Sequence, residues 1–209
     1  MLGINGVEVM AHSAPSQKNI ELSKRLTEIA AAVLSGAKDR KLNKTNLNKA
    51  LFYLDLYSLC HWGKTLSDSP YMALEMGPVV AKYKQRLVKP LVNSGLAEEL
   101  KEGMAEPLRL IKELENFEFL NERAIQKAKE FGLTCSQMSA AEISKRSHLN
   151  PGWAIAYANG LKKRQPAKPI NLLIAMQELD DQDVWVDQKL TMDEKASVTA
   201  AEAGKGEVW

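Results

Sequence analysis

The residues best suited to chemistry in this 209-residue chain are Cys60 and His61, which offer a thiol and an imidazole side by side. Successive residues of a helix point about 100° apart, so a nucleophile and a base in adjacent positions do not face each other. The chain also contains no phosphate-binding glycine loop, no paired-histidine metal motif, no GxSxG elbow and no closely spaced cysteines. We therefore expect no catalytic residue, no metal and no cofactor, and we expect that the protein is not an enzyme.

Asp55 stands out because it lies within a strongly apolar segment, residues 47–59. An unpaired charge in such surroundings is costly, so Asp55 should either have hydrogen-bond partners or lie at the rim of the core. We favour a structural role over a functional one.

His148 lies where a helix is predicted to end, five residues before Trp153. There an imidazole can hydrogen-bond free carbonyl groups or offset the negative end of the helix dipole. The alternative is contact with a partner, because His148 and Trp153 near a loop could form a rigid surface knob.

Apolar residues that recur every three or four positions predict the elements that hold these side chains. A first helix covers residues 22–33 and ends at Gly36, and a second begins at the capping residue Thr45 and ends at Gly63. Apolar residues lie on more than one face of the second helix, so we expect it at the centre of the domain.

Further helices are predicted over residues 78–95, 121–132, 139–147, 151–160 and 170–179. Pro78 opens the first of them and Gly132 ends the second. Ser139 and Glu142 have the spacing of a capping box. The segment 71–75 has an extended pattern, and residues 96–100 can pair with residues 108–112 as a small hairpin. The predicted fold is mainly α: a compact helical domain that can include a small β-hairpin, followed by an acidic C-terminal extension.

The composition is that of an ordinary globular protein, with 45% hydrophobic and 26% charged residues. No stretch approaches the roughly 18 consecutive apolar residues of a membrane span, so we expect a cytoplasmic protein without membrane contact. Cys60 and Cys135 lie far apart and are interpreted as reduced thiols in the core.

Charge is distributed unevenly along the chain. Residues 178–209 contain nine acidic and three basic side chains, a net charge of −6, which leaves +8 on residues 1–177. A basic body with an acidic tail indicates a surface that faces nucleic acid, or a tail that folds back or binds a basic partner, or simply solvated charge.

Three segments, in this order, resemble the Panacea-domain antitoxin family. An apolar run over residues 47–55 leads to the glycine of His61-Trp62-Gly63-Lys64, residues 71–79 contain a Tyr-x-Ala-x-x-x-Gly-Pro-Val pattern, and Ser147-His148 precedes a tryptophan. The resemblance covers about residues 20–160. The chain departs from the common pattern at Ala50, where leucine is frequent, and in its long acidic extension.

The resemblance implies an antitoxin that binds and silences a toxin. The family is found opposite many unrelated toxins, including enzymes of the small alarmone-synthetase type, and one branch is thought to deliver its toxin to a protease. It also implies structural or partner-contact roles for seven residues: Asp55, Gly63, Tyr71, Gly77, Pro78, His148 and Trp153. The corresponding organisation is an N-terminal extension (1–19), a helical domain (20–160), and a basic connector, short helix and acidic tail (161–209).

The leading hypothesis is therefore an antitoxin that neutralises its toxin, encoded by the adjacent gene, through direct protein–protein binding. One alternative is a DNA-binding autorepressor, suggested by the +8 body and the basic connector over residues 162–168, although no helix-turn-helix can be identified. The other is a proteolytic adaptor whose tail feeds a protease, a role in which Asp55, His61 or His148 would line a pocket.

Overall fold

The computed structural model describes residues 17–101, 106–162 and 167–181, which form seven α-helices and five short strands. The helices are α1 (Gln17–Gly36), α2 (Lys44–Trp62), α3 (Lys89–Asn93), α4 (Glu122–Ser136), α5 (Ala140–His148), α6 (Pro151–Lys162) and α7 (Leu172–Asp181). The strands are β1 (Lys41–Leu42), β2 (Tyr71–Leu74), β3 (Gly77–Val80), β4 (Ala97–Glu99) and β5 (Leu108–Leu110). The mainly helical fold class is thus confirmed, while the acidic extension lies almost wholly outside the described residues.

Helix α2 forms the centre of the molecule, as its apolar flanks predict. It packs against α1, α4, α5, α7 and β3. Its buried apolar residues include Leu47, Ala50, Leu51, Phe52, Leu54 and Leu56. Asn43, and not the predicted Thr45, caps the helix by accepting a hydrogen bond from the amide of Asn46. The helix ends at Gly63, whose φ of 71° is the left-handed conformation that glycine adopts readily.

Two small antiparallel sheets cover the helices. Strands β4 and β5 pair as the predicted hairpin, and β1 joins on the other side of β5. Strands β2 and β3 form a second hairpin, with Leu74 opposite Gly77 at its tight end. The free edge of β2 is occupied by a later part of the chain, because Ala73 donates to the carbonyl of Lys168 and Ile170 donates to that of Tyr71.

The prediction that Pro78 opens a helix is wrong. Residues 77–80 form strand β3, and the helical conformation begins only with a π-helical turn at Lys84–Val88 that leads into α3. Pro78 fits a strand here because β3 lies at the edge of the sheet, where a missing N–H breaks no backbone ladder bond.

The prediction that Gly132 ends α4 is wrong, because the helix continues to Ser136. The predicted start of α4 is confirmed, since Asn121 accepts a hydrogen bond from the amide of Ala124. The predicted capping box of α5 is also confirmed: Ser139 and Glu142 each bond the other's backbone amide.

The C-terminal part of the described chain packs on the helical body. Helix α7 contacts α2 and α6, and Ile170 and Ala175 are buried. The boundary at residue 160 remains a prediction, and most of the basic connector lies outside the described residues. Over the three described ranges, no helix has both the length and the apolar character that crossing a membrane requires.

Candidate partner-binding site

Asp55 is buried on α2 and anchors the loop that follows the helix. Its carboxylate accepts hydrogen bonds from the amides of Leu66 (2.7 Å) and Ser67 (2.9 Å), from the hydroxyl of Ser67, and from the hydroxyl of Tyr71 (2.7 Å). Of the two alternatives expected for Asp55, hydrogen-bond partners or a position at the rim of the core, the structure shows the first. Two of the residues that the family resemblance singles out, Asp55 and Tyr71, therefore belong to one network.

Burial raises the pKa of the Asp55 carboxyl, and the hydrogen bonds from Ser67, Tyr71 and Leu66 act in the opposite direction. Burial also raises the pKa of the Tyr71 hydroxyl well above its usual range, and the neighbouring carboxylate adds to this effect. Tyr71 therefore stays protonated and serves as a hydrogen-bond donor. The network fixes the first residue of β2 relative to α2.

Two polar side chains of α2 support the edge of β3 that faces the helix. Asn48 accepts a hydrogen bond from the amide of Val80 (3.0 Å), and the ammonium group of Lys49 donates to the carbonyl of Pro78 (3.0 Å). Burial lowers the pKa of Lys49 to about 7. These two residues replace the neighbouring strand that β3 lacks on this side.

Gly77 lies where the hairpin meets α2 and α5. Its φ is 97°, and a Cβ atom there would lie 2.3 Å from Ser147 Oγ and 2.7 Å from Lys49 Cε. Only glycine fits this conformation and this space. On the same side, Ser144 Oγ donates to the carbonyl of Met76 (3.2 Å), so α5 holds the hairpin turn directly.

Helix α6 holds the other side of the hairpin turn through Trp153. The indole Nε1 donates to the carbonyl of Leu74 (3.0 Å). The ring stacks with that of His148, at 4.2 Å between ring centroids, and with that of Tyr157, at 4.7 Å. The Nε2 atom of His148 is buried and has no hydrogen-bond partner among the described residues. His148 thus contributes to the site mainly through its ring.

Large apolar side chains are exposed around this stack. Leu149 is 76% exposed, Met76 52% and Leu74 39%. We call the surface formed by Leu74, Met76, His148, Leu149, Trp153 and Tyr157 the hairpin–helix face. Its backbone is held by hydrogen bonds from α5 and α6, so its shape is largely set before any partner arrives.

The structure brings most of the predicted site residues together. Tyr71, Gly77 and Pro78 belong to one hairpin, Asp55 anchors its base, and His148 and Trp153 lie against its turn. Gly63 lies apart from these residues. No other part of the described chain lies within 4 Å of a Cβ built there, so glycine is favoured at this position by its backbone φ of 71° and not by lack of space. His61, the candidate base, is exposed and packs on Tyr57 at 4.2 Å between ring centroids.

Several residues of the site were not identified from the sequence. Lys49, Asn48 and Ser144 each form a hydrogen bond with the hairpin, which is distant in sequence, and Ser147 lies beside Gly77. One signal was present, since Asn48 and Lys49 interrupt the apolar segment that also contains Asp55. Within the described ranges, no group of three or more His, Cys, Asp or Glu side chains is positioned to hold a metal ion.

Comparison with known proteins agrees with this assembly of motifs. A family model described as antitoxin SocA-like, Panacea domain, matches residues 47–154, slightly more than half of the chain. Neither the curated proteins nor the solved structures contain a significant match. The matched range begins in α2 and ends at the start of α6, so it includes the whole network from Asp55 to Trp153. The chain therefore belongs to the SocA-like antitoxin family with a Panacea domain.

Proposed function

We propose that this protein neutralises its cognate toxin by direct binding through the hairpin–helix face, without turnover of a substrate. The observation that supports the proposal best is the exposure of Leu74, Met76 and Leu149 on a surface that α5 and α6 hold in place. Membership of an antitoxin family implies a toxin as the partner. Its gene is expected next to that of the antitoxin.

The chemistry of the face fits a protein partner. Apolar side chains that protrude from a pre-organised backbone can be desolvated without a large loss of conformational entropy. A specific complex buries roughly 800 Å² on each partner, and aromatic residues are enriched among those that dominate the binding energy. Trp153 and Tyr157 supply a stacked aromatic base beneath the exposed residues.

Replacing both Met76 and Leu149 by aspartate tests the proposal. Each change places a carboxylate where the proposed complex excludes water, so the affinity for the toxin should fall by at least about tenfold for each. Isothermal titration of the purified pair would measure the affinity, and survival of cells that co-express both proteins would measure neutralisation. Both positions are exposed, so circular dichroism should show an unchanged fold.

The matched control replaces two exposed apolar residues outside the face by aspartate: Ile111, which is 53% exposed, and Leu133, which is 43% exposed. This control variant should bind the toxin and protect cells like the unmodified protein. Full protection by the Met76 and Leu149 variant would exclude the face as the contact. Absence of any complex between the unmodified proteins would reject direct binding altogether.

A further inference from the structure

The acidic tail contains one apolar triplet, Val184-Trp185-Val186, between Asp183 and Asp187. These residues follow the last described residue, Asp181, and the proposed function makes no use of them. Removing a tryptophan and two valines from water lowers the free energy, and the two flanking carboxylates favour a binding site with basic residues at its rim.

Basic residues lie next in sequence to the hairpin–helix face. Lys145 and Arg146 lie in the last turn of α5, separated from His148 by Ser147. Lys168 is held beside the hairpin, because its carbonyl accepts the hydrogen bond from Ala73. Glu75, in the hairpin turn, is the acidic residue closest in sequence to the exposed Leu74 and Met76. Lys145 and Arg146 carry a charge opposite to that of Asp183 and Asp187, and Arg146 also interacts with Glu142, one turn earlier on α5.

The tail begins close enough to reach this face. The carbonyl of Ala175 on α7 accepts a hydrogen bond from Asn150 (2.9 Å), the residue that follows Leu149. The six residues from Ala175 to Asp181 rise about 9 Å along the helix. The four residues from Asp181 to Trp185 can extend about 14 Å, and the indole adds to this reach. Trp185 can therefore return to Leu149.

We propose that, in the free protein, Val184-Trp185-Val186 binds the hairpin–helix face of its own chain, with Asp183 and Asp187 towards Lys145 and Arg146. The idea rests on the proposed function in one respect: if the face is also the toxin contact, then the tail and the toxin compete for it. The toxin would bind by displacing the tail, which shields the exposed apolar residues until then.

Weak intrinsic affinity is sufficient for this contact because the segment is covalently attached. A short linker gives an effective concentration of roughly 1 mM. At that concentration, a segment with a Kd of about 100 µM occupies the face for about 90% of the time. Such an affinity leaves the face accessible to a toxin that binds more tightly.

Paramagnetic relaxation in the full-length chain tests the contact directly. A nitroxide is attached to a cysteine introduced at Gln188, with Cys60 changed to serine so that labelling is specific. We expect the nuclear magnetic resonance signals of the Leu74 and Leu149 amides and of the Trp153 indole to lose at least about half of their intensity, as the occupancy estimated above requires. Replacing the apolar triplet by serines should restore them.

The matched control replaces two other apolar tail residues, Leu190 and Met192, by serine and should leave the broadening unchanged. Mixing isotope-labelled chains without nitroxide and unlabelled chains with nitroxide separates the two possible sources of the segment. Broadening in this mixture would assign the contact to a second copy and overturn the proposal, as would broadening that is absent or unaffected by the triple serine change.

The experiment needs no toxin, so its result is independent of the proposed function. If the signals broaden but the Met76 and Leu149 variant still neutralises the toxin, then the tail contact stands and the assignment of the toxin surface fails. If both proposals hold, removing the competing triplet should tighten toxin binding about tenfold, as expected when a segment that occupies the face for about 90% of the time is lost.

Discussion

Lys49 shows how a single residue connects the core to the hairpin. Its side chain is fully buried and donates to the carbonyl of Pro78. Among the described residues, no carboxylate forms an ion pair with it. Burial alone lowers the pKa of Lys49 to about 7, because an ammonium group loses its hydration there. Near neutral pH the amine is therefore neutral in about half of the molecules.

This burial should make stability depend on pH. The unfolded lysine has a pKa of about 10.4, so between pH of about 7 and about 10 the unfolded chain binds more protons than the folded one. The free energy of unfolding should then rise with pH across this window, by up to about 1.4 kcal/mol per pH unit, and be flat below it. Replacing Lys49 by methionine should abolish this contribution. Urea unfolding of both proteins from pH 6.5 to 9.5 would give the difference.

The control for this experiment is Lys89→Met, at an exposed position of α3, which should run parallel to the unmodified protein at every pH. If the Lys49 variant also ran parallel, then the folded-state pKa of Lys49 would not differ from that of the unfolded chain.

For single residues, the sequence predicts which side chain requires hydrogen bonds better than it predicts which residues supply them. The sequence leaves two alternatives for an aspartate inside an apolar helix, hydrogen-bond partners or a position at the rim of the core, and Asp55 has the partners. That Ser67 and Tyr71 would supply the donors could not be foreseen, because both depend on where the chain returns after the helix. Lys49 was missed for the same reason, since a lysine usually remains exposed and the need for a donor arises only when β3 packs on α2.

Among the elements, α1 and α4 approach each other through two glycines. A Cβ atom at Gly132 would lie 1.9 Å from the carbonyl oxygen of Val33, and one at Gly36 would lie 2.1 Å from that of Lys129. The contacts are reciprocal and involve backbone on both sides. The missing side chains therefore allow the helices to pack closely, and neither helix can relieve an added methyl group by turning a side chain.

We expect Gly132→Ala to lower the free energy of unfolding by at least about 2 kcal/mol, although alanine is the better helix former. Urea unfolding would measure the change. Gln126→Ala, at an exposed position of the same helix, controls for helix propensity and should change stability by about 0.5 kcal/mol or less. Stabilisation by Gly132→Ala would show that the two helices lie farther apart than in the structure.

The same glycine explains why one helix boundary was wrong. Glycine lowers helix propensity, so Gly132 was interpreted as a stop, whereas its role lies in tertiary packing. Asn121 and the Ser139–Glu142 pair were identified correctly because capping depends on neighbouring residues only. Pro78 was misassigned because its fixed φ suits both a first helical turn and an edge strand, and only the pairing with β2 decides between them.

For the whole molecule, the sequence places the end of the helical domain at residue 160 and the change of charge sign near residue 178. Helix α7, between these two points, packs on α2 and α6. Ala175 is fully buried, and its backbone lies against Gly152, where a Cβ atom would be 2.6 Å from that of Ala175. Helix α7 therefore covers part of the core. This contact could not be predicted from an apolar pattern alone, which indicates a helix but not the surface on which it lies.

Truncation at two points separates the folding unit from the tail. A chain that ends at Lys162 loses the buried Ile170 and Ala175 and the hydrogen bonds along the free edge of β2, so its free energy of unfolding should fall by on the order of 4 kcal/mol. A chain that ends at Asp181 keeps these contacts, and its free energy of unfolding should fall only by the roughly 1.4 kcal/mol that a tail contact occupied for about 90% of the time contributes. The second chain is the control for the first, because both lack residues 182–209. Equal stability of the two would place the end of the folding unit near residue 160, where the connector begins, and would make α7 an accessory to the fold.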